Sequence, residues 1–271
     1  MKICNLFLIV FLSIFLSACT NSKESVDLQK VLSNQNESAV LWMQMSGEYK
    51  ALAYQAFNVA RIVFDSKEKF KKGKKAVIVD LDETMIDNSP YSAWQIAMSQ
   101  PYSSDTWSKW VENRNASAIP GAVDFARYVT AHNGTVFYVS NRSQDNFVAT
   151  AANLNKVGFP SVSKETLLLR QAGNNSDKSN RFQKIKEDGY QVILYIGDNL
   201  NDFPQRSYHK SAAERSQFVS DNKDKFGVDY VILPNPVYGD WELSLAKDYL
   251  KLPLNERVKV RQSALNKWGG K

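Results

Sequence analysis

Residues 76 to 88 read Ala-Val-Ile-Val-Asp-Leu-Asp-Glu-Thr-Met-Ile-Asp-Asn, so two carboxylates, Asp80 and Asp82, stand two residues apart directly after an apolar run. Acids this close repel unless a cation or a shared proton relieves them. The chemistry open to such a pair is cation binding, nucleophilic attack and general acid–base work. The same stretch also reads as a strand followed by a polar turn, and Asp80, Asp82 and Thr84 alone do not separate the two. A second pair, Asp198 and Asp202, follows another short apolar run, Val192 to Ile196. A third run, Thr135 to Val139, ends in Ser140-Asn141-Arg142, and Asp177-Lys178-Ser179-Asn180-Arg181 lies between it and the second acid pair. Taken singly, Asp198 to Asp202 is also an acidic turn, and Ser140-Asn141 also suits a helix cap.

The elements must bring these four stations together. Val- and Ile-rich runs bounded by polar residues predict buried strands of a parallel sheet. In open α/β sheets ligands sit just past the carboxyl ends of such strands. Ser38 to Phe64 carries apolar residues at helical spacing (Leu41, Met45, Leu52, Phe57, Val59, Val63) and predicts one long helix or a helix pair, with Gly47 as the candidate break. Further helices are expected at 121–132, 144–157, 178–189 and 240–251, and strands at 134–139, 166–169, 191–196 and 229–233. Strands alternating with helices imply right-handed βαβ units. Residues 89–119, with Pro90, Trp94, Pro101, Trp107 and Trp110, lack strand patterning and form an insertion between the first two stations.

The four stations in order resemble the motifs of the haloacid dehalogenase superfamily, and the acid pairs resemble those of its four-aspartate phosphatases. The wider wording is similar to the class C bacterial acid phosphatases, which are surface lipoproteins. The matching pieces are Val-Asp-Leu-Asp-Glu-Thr at 79 to 84, Tyr-Val-Ser-Asn-Arg at 138 to 142, Asp-Lys-Ser-Asn at 177 to 180 and Gly-Asp-Asn-Leu-Asn-Asp-Phe at 197 to 203. The resemblance runs from about residue 35 to about 255. It implies an α/β fold, a doubly wound parallel sheet of haloacid dehalogenase type, in which the insertion at about 89–119 is a small helical cap over the active site.

Phosphoryl transfer needs a nucleophile, positive charge on the phosphoryl oxygens and a proton for the leaving group. Asp80 is the expected nucleophile, forming an aspartyl-phosphate, and Mg²⁺ is the expected cofactor because oxygen ligands suit it. Asp80 and Asp198 are the expected ligands, the main-chain carbonyl of Asp82 is added by the resemblance, and Asp202 is a ligand or an anchor. The Asp82 side chain is the expected general acid and then base. Ser140, the amide of Asn141 and Lys178 are expected on the phosphate, with Arg170 and Lys184 as rivals to Lys178. Glu83 and Asp87 are read as structural. The resemblance also points to nucleoside monophosphates held between Trp107 and Tyr238, with Arg114 reaching sugar or phosphate; the alternative is that these aromatics pack the cap.

The chain opens Met-Lys, then an apolar run from Ile3 to Leu16, then Leu16-Ser17-Ala18-Cys19. This predicts an export signal over 1–18 and lipidation of Cys19 in a bacterial lipobox; an ordinary secretory signal is the alternative. Both cysteines, Cys4 and Cys19, lie there, so the expected exported domain, 38–271, has no thiol for a disulfide, a nucleophile or a metal. Residues 19–37 are expected to be a polar tether. The partners expected are a small phosphomonoester and a membrane reached through the lipid. In a Gram-negative cell, Thr20 in place of Asp after Cys19 favours the outer membrane. The net charge of +6 comes with no nucleic-acid-binding motif, and homodimer formation stays open. His132 and His209 are the histidines, and neither stands in an Arg-His-Gly context, which excludes a histidine-nucleophile phosphatase. The rival from another class is a non-catalytic surface lipoprotein on the same fold, such as an adhesin or a haem or nucleotide binder.

Overall fold

The computed structural model describes residues 28–68, 73–173, 176–204 and 210–270. The expected signal, Cys19, the first part of the tether, residues 69–72 of the lysine-rich stretch and His209 lie outside them. The chain runs through α1 (28–34), α2 (Glu37–Met45), α3 (Gly47–Glu68), β1 (Lys74–Val79), β2 (Ile86–Asp87), α4 (Ser89–Met98), α5 (Ser104–Glu112) and β3 (Ser117–Ala118). Then come α6 (Ala122–Ala131), β4 (Gly134–Ser143), α7 (Phe147–Val157), β5 (Leu167–Arg170), α8 (Ser179–Glu187) and β6 (Tyr190–Gly197). The last elements are α9 (Ala212–Asp221), β7 (Tyr230–Ile232), α10 (Asp240–Leu243) and α11 (Leu254–Ser263).

Five strands form one sheet in the order β5-β4-β1-β6-β7, and every pairing is parallel. Alternate residues of the strands go to opposite faces, as the period of two requires. Val77 and Val79 of β1 join Val136 and Tyr138 of β4 in the core under α3 and α6, while Ala76 and Ile78 join Phe137 and Val139 in the core under α8. A sheet buried on both faces explains why its strands read as continuous apolar runs. The order reverses between β1 and β6, and in open α/β sheets that reversal opens the ligand crevice.

Several boundaries depart from the sequence reading. The helix pair at 37–68 breaks at Ser46, which is extended (ψ 141°), and Gly47 opens α3. Leu41, Met45 and Leu52 of the expected apolar stripe are exposed; Phe57 and Val63 of that stripe are buried, and Ala53, Ala56 and Ala60 join them on the buried face. Residues 28–34, assigned to the tether, are helical, with Leu32 and Ser33 buried. The helix expected at 240–251 stops after Leu243, and two helices that periodicity did not signal, α9 and α11, follow β6 and α10. Between β1 and α6 stand the two helices α4 and α5, and the far end of this insertion adds β3, which pairs antiparallel with β2. β4 runs on through Ser143, and its pairing with β5 goes out of register between Val139 and Ser143. Ser140, Asn141 and Arg142 therefore lie on an irregular stretch, free of a regular ladder and able to face the crevice.

Candidate active site

β1 ends at Val79 and β6 at Gly197, side by side, so Asp80 and Asp198 leave neighbouring strand ends. Carboxylate oxygens of Asp80, Asp198 and Asp202 all lie within 4.8 Å of one another. Asp202 reaches this point because a tight 3-10 turn at Leu200–Asp202 folds it back, its carboxylate accepting from the Asn199 N–H at 2.9 Å. Gly197 is required there: a Cβ on it would collide with the Asp202 side chain. Asp198 accepts from Thr84 Oγ1 at 3.1 Å and from Asn235 Nδ2 at 2.9 Å.

Lys178, at the start of α8, is buried and donates to both Asp80 and Asp202, the latter at 2.7 Å. Of its rivals, Lys184 is exposed and pairs with Asp188 at 3.0 Å, and Arg170 donates to the Asn141 carbonyl at 3.3 Å. One lysine against three carboxylates leaves the cluster short of positive charge. Burial, the largest effect, pushes the Asp80 carboxyl up to about 7; Lys178 opposes the rise, while Asp202 and Asp82 add to it. Burial, Asp202 and Asp80 likewise hold Asp198 well above the usual carboxylate range. A set of hard oxygen donors with excess negative charge fits a divalent cation such as Mg²⁺.

A carboxyl whose value is raised on folding binds its proton more tightly in the native state. Stability therefore falls as pH rises from the unfolded value of about 4 towards about 7. The metal-free protein is expected to melt several degrees lower at about pH 8 than at about pH 5, and added Mg²⁺ to stabilise it more at the higher pH, where metal need not displace protons. Thermal unfolding in chelator, with and without Mg²⁺, reads this directly. A melting temperature of the metal-free protein that climbs over the interval would contradict the charge balance described.

The Asp82 side chain turns away from this cluster. It accepts from Arg142 Nε at 2.9 Å, Arg142 Nη2 at 2.8 Å, Asn88 Nδ2 at 2.9 Å and Ser140 Oγ at 3.2 Å. The metal contact expected of this residue involves its main-chain carbonyl and not this carboxylate. Arg142 is buried and forks between Asp82 and Asn88 Oδ1, which also accepts from Trp110 Nε1 at 2.8 Å. Ser140 is fully buried with its hydroxyl on Asp82, not free in the crevice. Asn141 donates to the Ser176 carbonyl and accepts from Arg181 Nη2 at 2.6 Å. Arg181 also binds the Ser140 carbonyl at 2.6 Å, and burial lowers its guanidinium to about 10 despite Asp80. Sequence reasoning gives neither arginine a role: Arg142 closes the motif at 138 to 142 and Arg181 follows the one at 177 to 180, and spacing alone does not show that an arginine is buried.

Asp80, Asp82, Lys178, Asn141, Trp107 and Tyr238 line one cavity of about 740 Å³, a size that takes a small organic ligand. Trp107 packs edge-on against Tyr91 at 5.1 Å and lies 5.4 Å above the Arg142 guanidinium. The Tyr238 ring is partly exposed, and its hydroxyl donates to Glu83. Burial raises the Glu83 carboxyl well above its usual value. Arg114 is a correction. It is exposed in a left-handed turn after α5, its carbonyl accepting from Lys156 at 3.1 Å, and it does not line the cavity. The turn that ends the helix swings it outward. Trp94 stacks on Tyr91, and Trp110 serves Asn88; neither lines the cavity.

Residues 12–241 match the family model described as the haloacid dehalogenase superfamily, subfamily IIIB (acid phosphatase). The chain belongs to this acid phosphatase family. Among solved structures, the class C acid phosphatase from Bacillus anthracis with tungstate bound superposes with a TM-score of 0.83 at 36% identity, covering 88% of this chain and 99% of that one. A second structure of that Bacillus anthracis enzyme gives a TM-score of 0.82 at 35% identity. Among curated relatives, "Acid phosphatase 1" of Solanum lycopersicum is 28% identical over 135 residues, 48% of this chain and 52% of the relative. The "Stem 28 kDa glycoprotein" of Glycine max is 25% identical with the same coverage. The chain thus spans about half the length of the curated relatives it matches.

Proposed function

We propose that this protein is an exported, lipid-anchored, Mg²⁺-dependent acid phosphatase that hydrolyses phosphomonoesters, nucleoside monophosphates in particular, through an aspartyl-phosphate on Asp80. The observation that carries this reading is the convergence of Asp80, Asp198 and Asp202 around the buried Lys178 at two adjacent strand ends. Asp80 attacks phosphorus and the ester P–O bond breaks, while Asp82 gives its proton to the departing oxygen. Lys178 and the Asn141 amide take the phosphoryl oxygens, while the Ser140 hydroxyl, buried against Asp82, holds that carboxylate in place. Water then attacks phosphorus of the aspartyl-phosphate and gives a proton back to Asp82; the bond to Asp80 breaks and inorganic phosphate leaves. Asp80, Asp198 and the Asp82 main-chain carbonyl would hold Mg²⁺, with Asp202 as ligand or anchor. When bound, Mg²⁺ supplies the positive charge that lets an anionic carboxylate approach an anionic phosphoryl group. Hydrolysis of p-nitrophenyl phosphate at mildly acidic pH by the purified protein tests the reading; no hydrolysis with Mg²⁺ present would end it.

The nucleotide preference rests on the aromatic lining of the cavity, with Trp107 from the insertion and Tyr238 from the loop after β7. Base–aromatic stacking is worth about 1–3 kcal/mol per base. Trp107→Ala and Tyr238→Ala are each expected to weaken nucleoside monophosphates by that amount and to leave p-nitrophenyl phosphate nearly unchanged. The ratio of the two activities is the readout. Equal loss on both would mean that the aromatics hold the cavity together without reading a base. The Tyr238–Glu83 bond makes Tyr238→Phe the needed control, since it keeps the ring and removes the hydroxyl. The lipid anchor rests on Leu16-Ser17-Ala18-Cys19, and recovery of the protein in the membrane fraction is its check.

A further inference from the structure

The segment 28–36 lies within the stretch read as a tether, yet it is built into the cavity. Gln29, Leu32, Ser33 and Asn36 line the space that also holds Asp80 and Tyr238. A solvated tether has no reason to bury Leu32 and Ser33, which are 6% and 8% exposed.

Two sets of bonds fix the segment. Asn36 Nδ2 donates to the Val237 carbonyl at 3.2 Å, next to Tyr238. From the other end of the chain, Arg261 of α11 donates to the Leu32 carbonyl at 3.3 Å and to Gln35 Oε1 at 2.8 Å. Arg261 is itself held by Glu242 and by the Tyr249 hydroxyl at 2.9 Å. The loop that Asn36 grips also carries Asn235, which orients Asp198.

We propose that residues 28–36 are a specificity wall of the substrate cavity, contacting the leaving group of the ester and not its phosphate. The inference rests on the phosphatase reading above and deepens it. Gln29, Ser33 and Asn36 offer neutral donors and acceptors, and Leu32 offers an apolar surface. That chemistry suits a large, uncharged, hydrogen-bonding leaving group such as a nucleoside, and offers little to a small aryl ester. All the charged groups placed on the phosphate come from other segments, so the wall changes KM and leaves the bond-breaking step alone.

The test uses the full chain and two substrates, adenosine 5′-monophosphate and p-nitrophenyl phosphate. Ser33→Leu replaces a polar wall position with bulk; Arg261→Met releases the clamp and frees Glu242, leaving Asp80, Asp82, Asp198 and Asp202 with their partners. Each is expected to raise KM for the nucleotide about five- to tenfold, the usual worth of one or two lost hydrogen bonds, with kcat within twofold and both constants for the aryl ester within twofold. Gln29→Ala, at a half-buried position whose amide donates to Ser33 at 3.3 Å, is expected to give a smaller effect of the same kind. Melting temperatures measured beside the kinetics detect misfolding, and if Ser33→Leu and Arg261→Met both melt early, Gln29→Ala decides. An unchanged substrate ratio in the folded variants, or a parallel loss on both substrates, overturns the wall. Failure of the wild-type protein on both substrates overturns the phosphatase reading itself, so the two failures are distinct.

Discussion

Asp80→Asn is expected to lower turnover on every phosphomonoester by on the order of 10⁴-fold or more, the scale seen when a covalent nucleophile is removed. The amide has nearly the shape of the carboxylate and keeps an oxygen for Lys178, so the fold should survive. It cannot attack phosphorus as an anion, and no phosphoenzyme should form. Asp82→Asn acts elsewhere. Its partners are Arg142, Asn88 and Ser140 and not the acid cluster, so the loss should fall on proton transfer, worth about 10²–10⁴-fold. Esters with good leaving groups need little help at the first step. With them Asp82→Asn should still phosphorylate Asp80, and the intermediate should accumulate because water lacks its base. Intact mass spectrometry after an acid quench separates the cases: an adduct in Asp82→Asn and none in Asp80→Asn. If neither variant traps an adduct and both lose all substrates equally, the two aspartates do not divide the work in this way.

Exhaustive chelation is expected to cost about 10³-fold or more in kcat/KM, restored by Mg²⁺. Metal charge stabilisation is worth several kcal/mol, and about 1.4 kcal/mol is one decade of rate. The expectation follows from the charge balance of the buried cluster, where Asp80, Asp198 and Asp202 face Lys178. A phosphate dianion entering that site adds to the excess negative charge. Lys178 is already engaged by two carboxylates and cannot offset it alone. Undiminished rates after dialysis against EDTA would show that the cluster works without metal. The melting experiment, which needs no substrate, would then distinguish a cluster that binds metal structurally from one that binds none.

Much of this was legible in the sequence because the chemistry sits at strand ends. A buried parallel strand writes itself as an apolar run, and the residue that follows it is visible by contrast: Asp80 after Val79 and Asp198 after Gly197, with Ser140 marking where the apolar run of β4 ends although the strand continues to Ser143. Four such stations in order specified the sheet, its family and the residues worth examining. Other features left traces that periodicity did not weigh. Ser211 and Glu214 form a capping box at the start of α9, and Ser-x-x-Glu is a sequence-level sign of a helix start. The helix itself alternates polar and charged residues with little apolar stripe, so it escaped.

The tertiary structure alone decided what depends on long-range contact. The distance between Asp80 and Asp202 is set by the long-range pairing of β1 with β6, which then lets the local 3-10 turn and the missing Cβ of Gly197 bring Asp202 up to Asp80. Lys178 prevailed over Arg170 and Lys184 because the start of α8 faces the strand ends, which the intervening loop hid. The separation of Asp82 from the acid cluster required the buried Arg142. Arg114 and segment 28–36 changed places, the first leaving the cavity and the second entering it. A side chain's type and spacing state what chemistry it can do. Which cavity it meets depends on how elements separated by up to 229 positions, such as Leu32 and Arg261, are closed onto each other by packing.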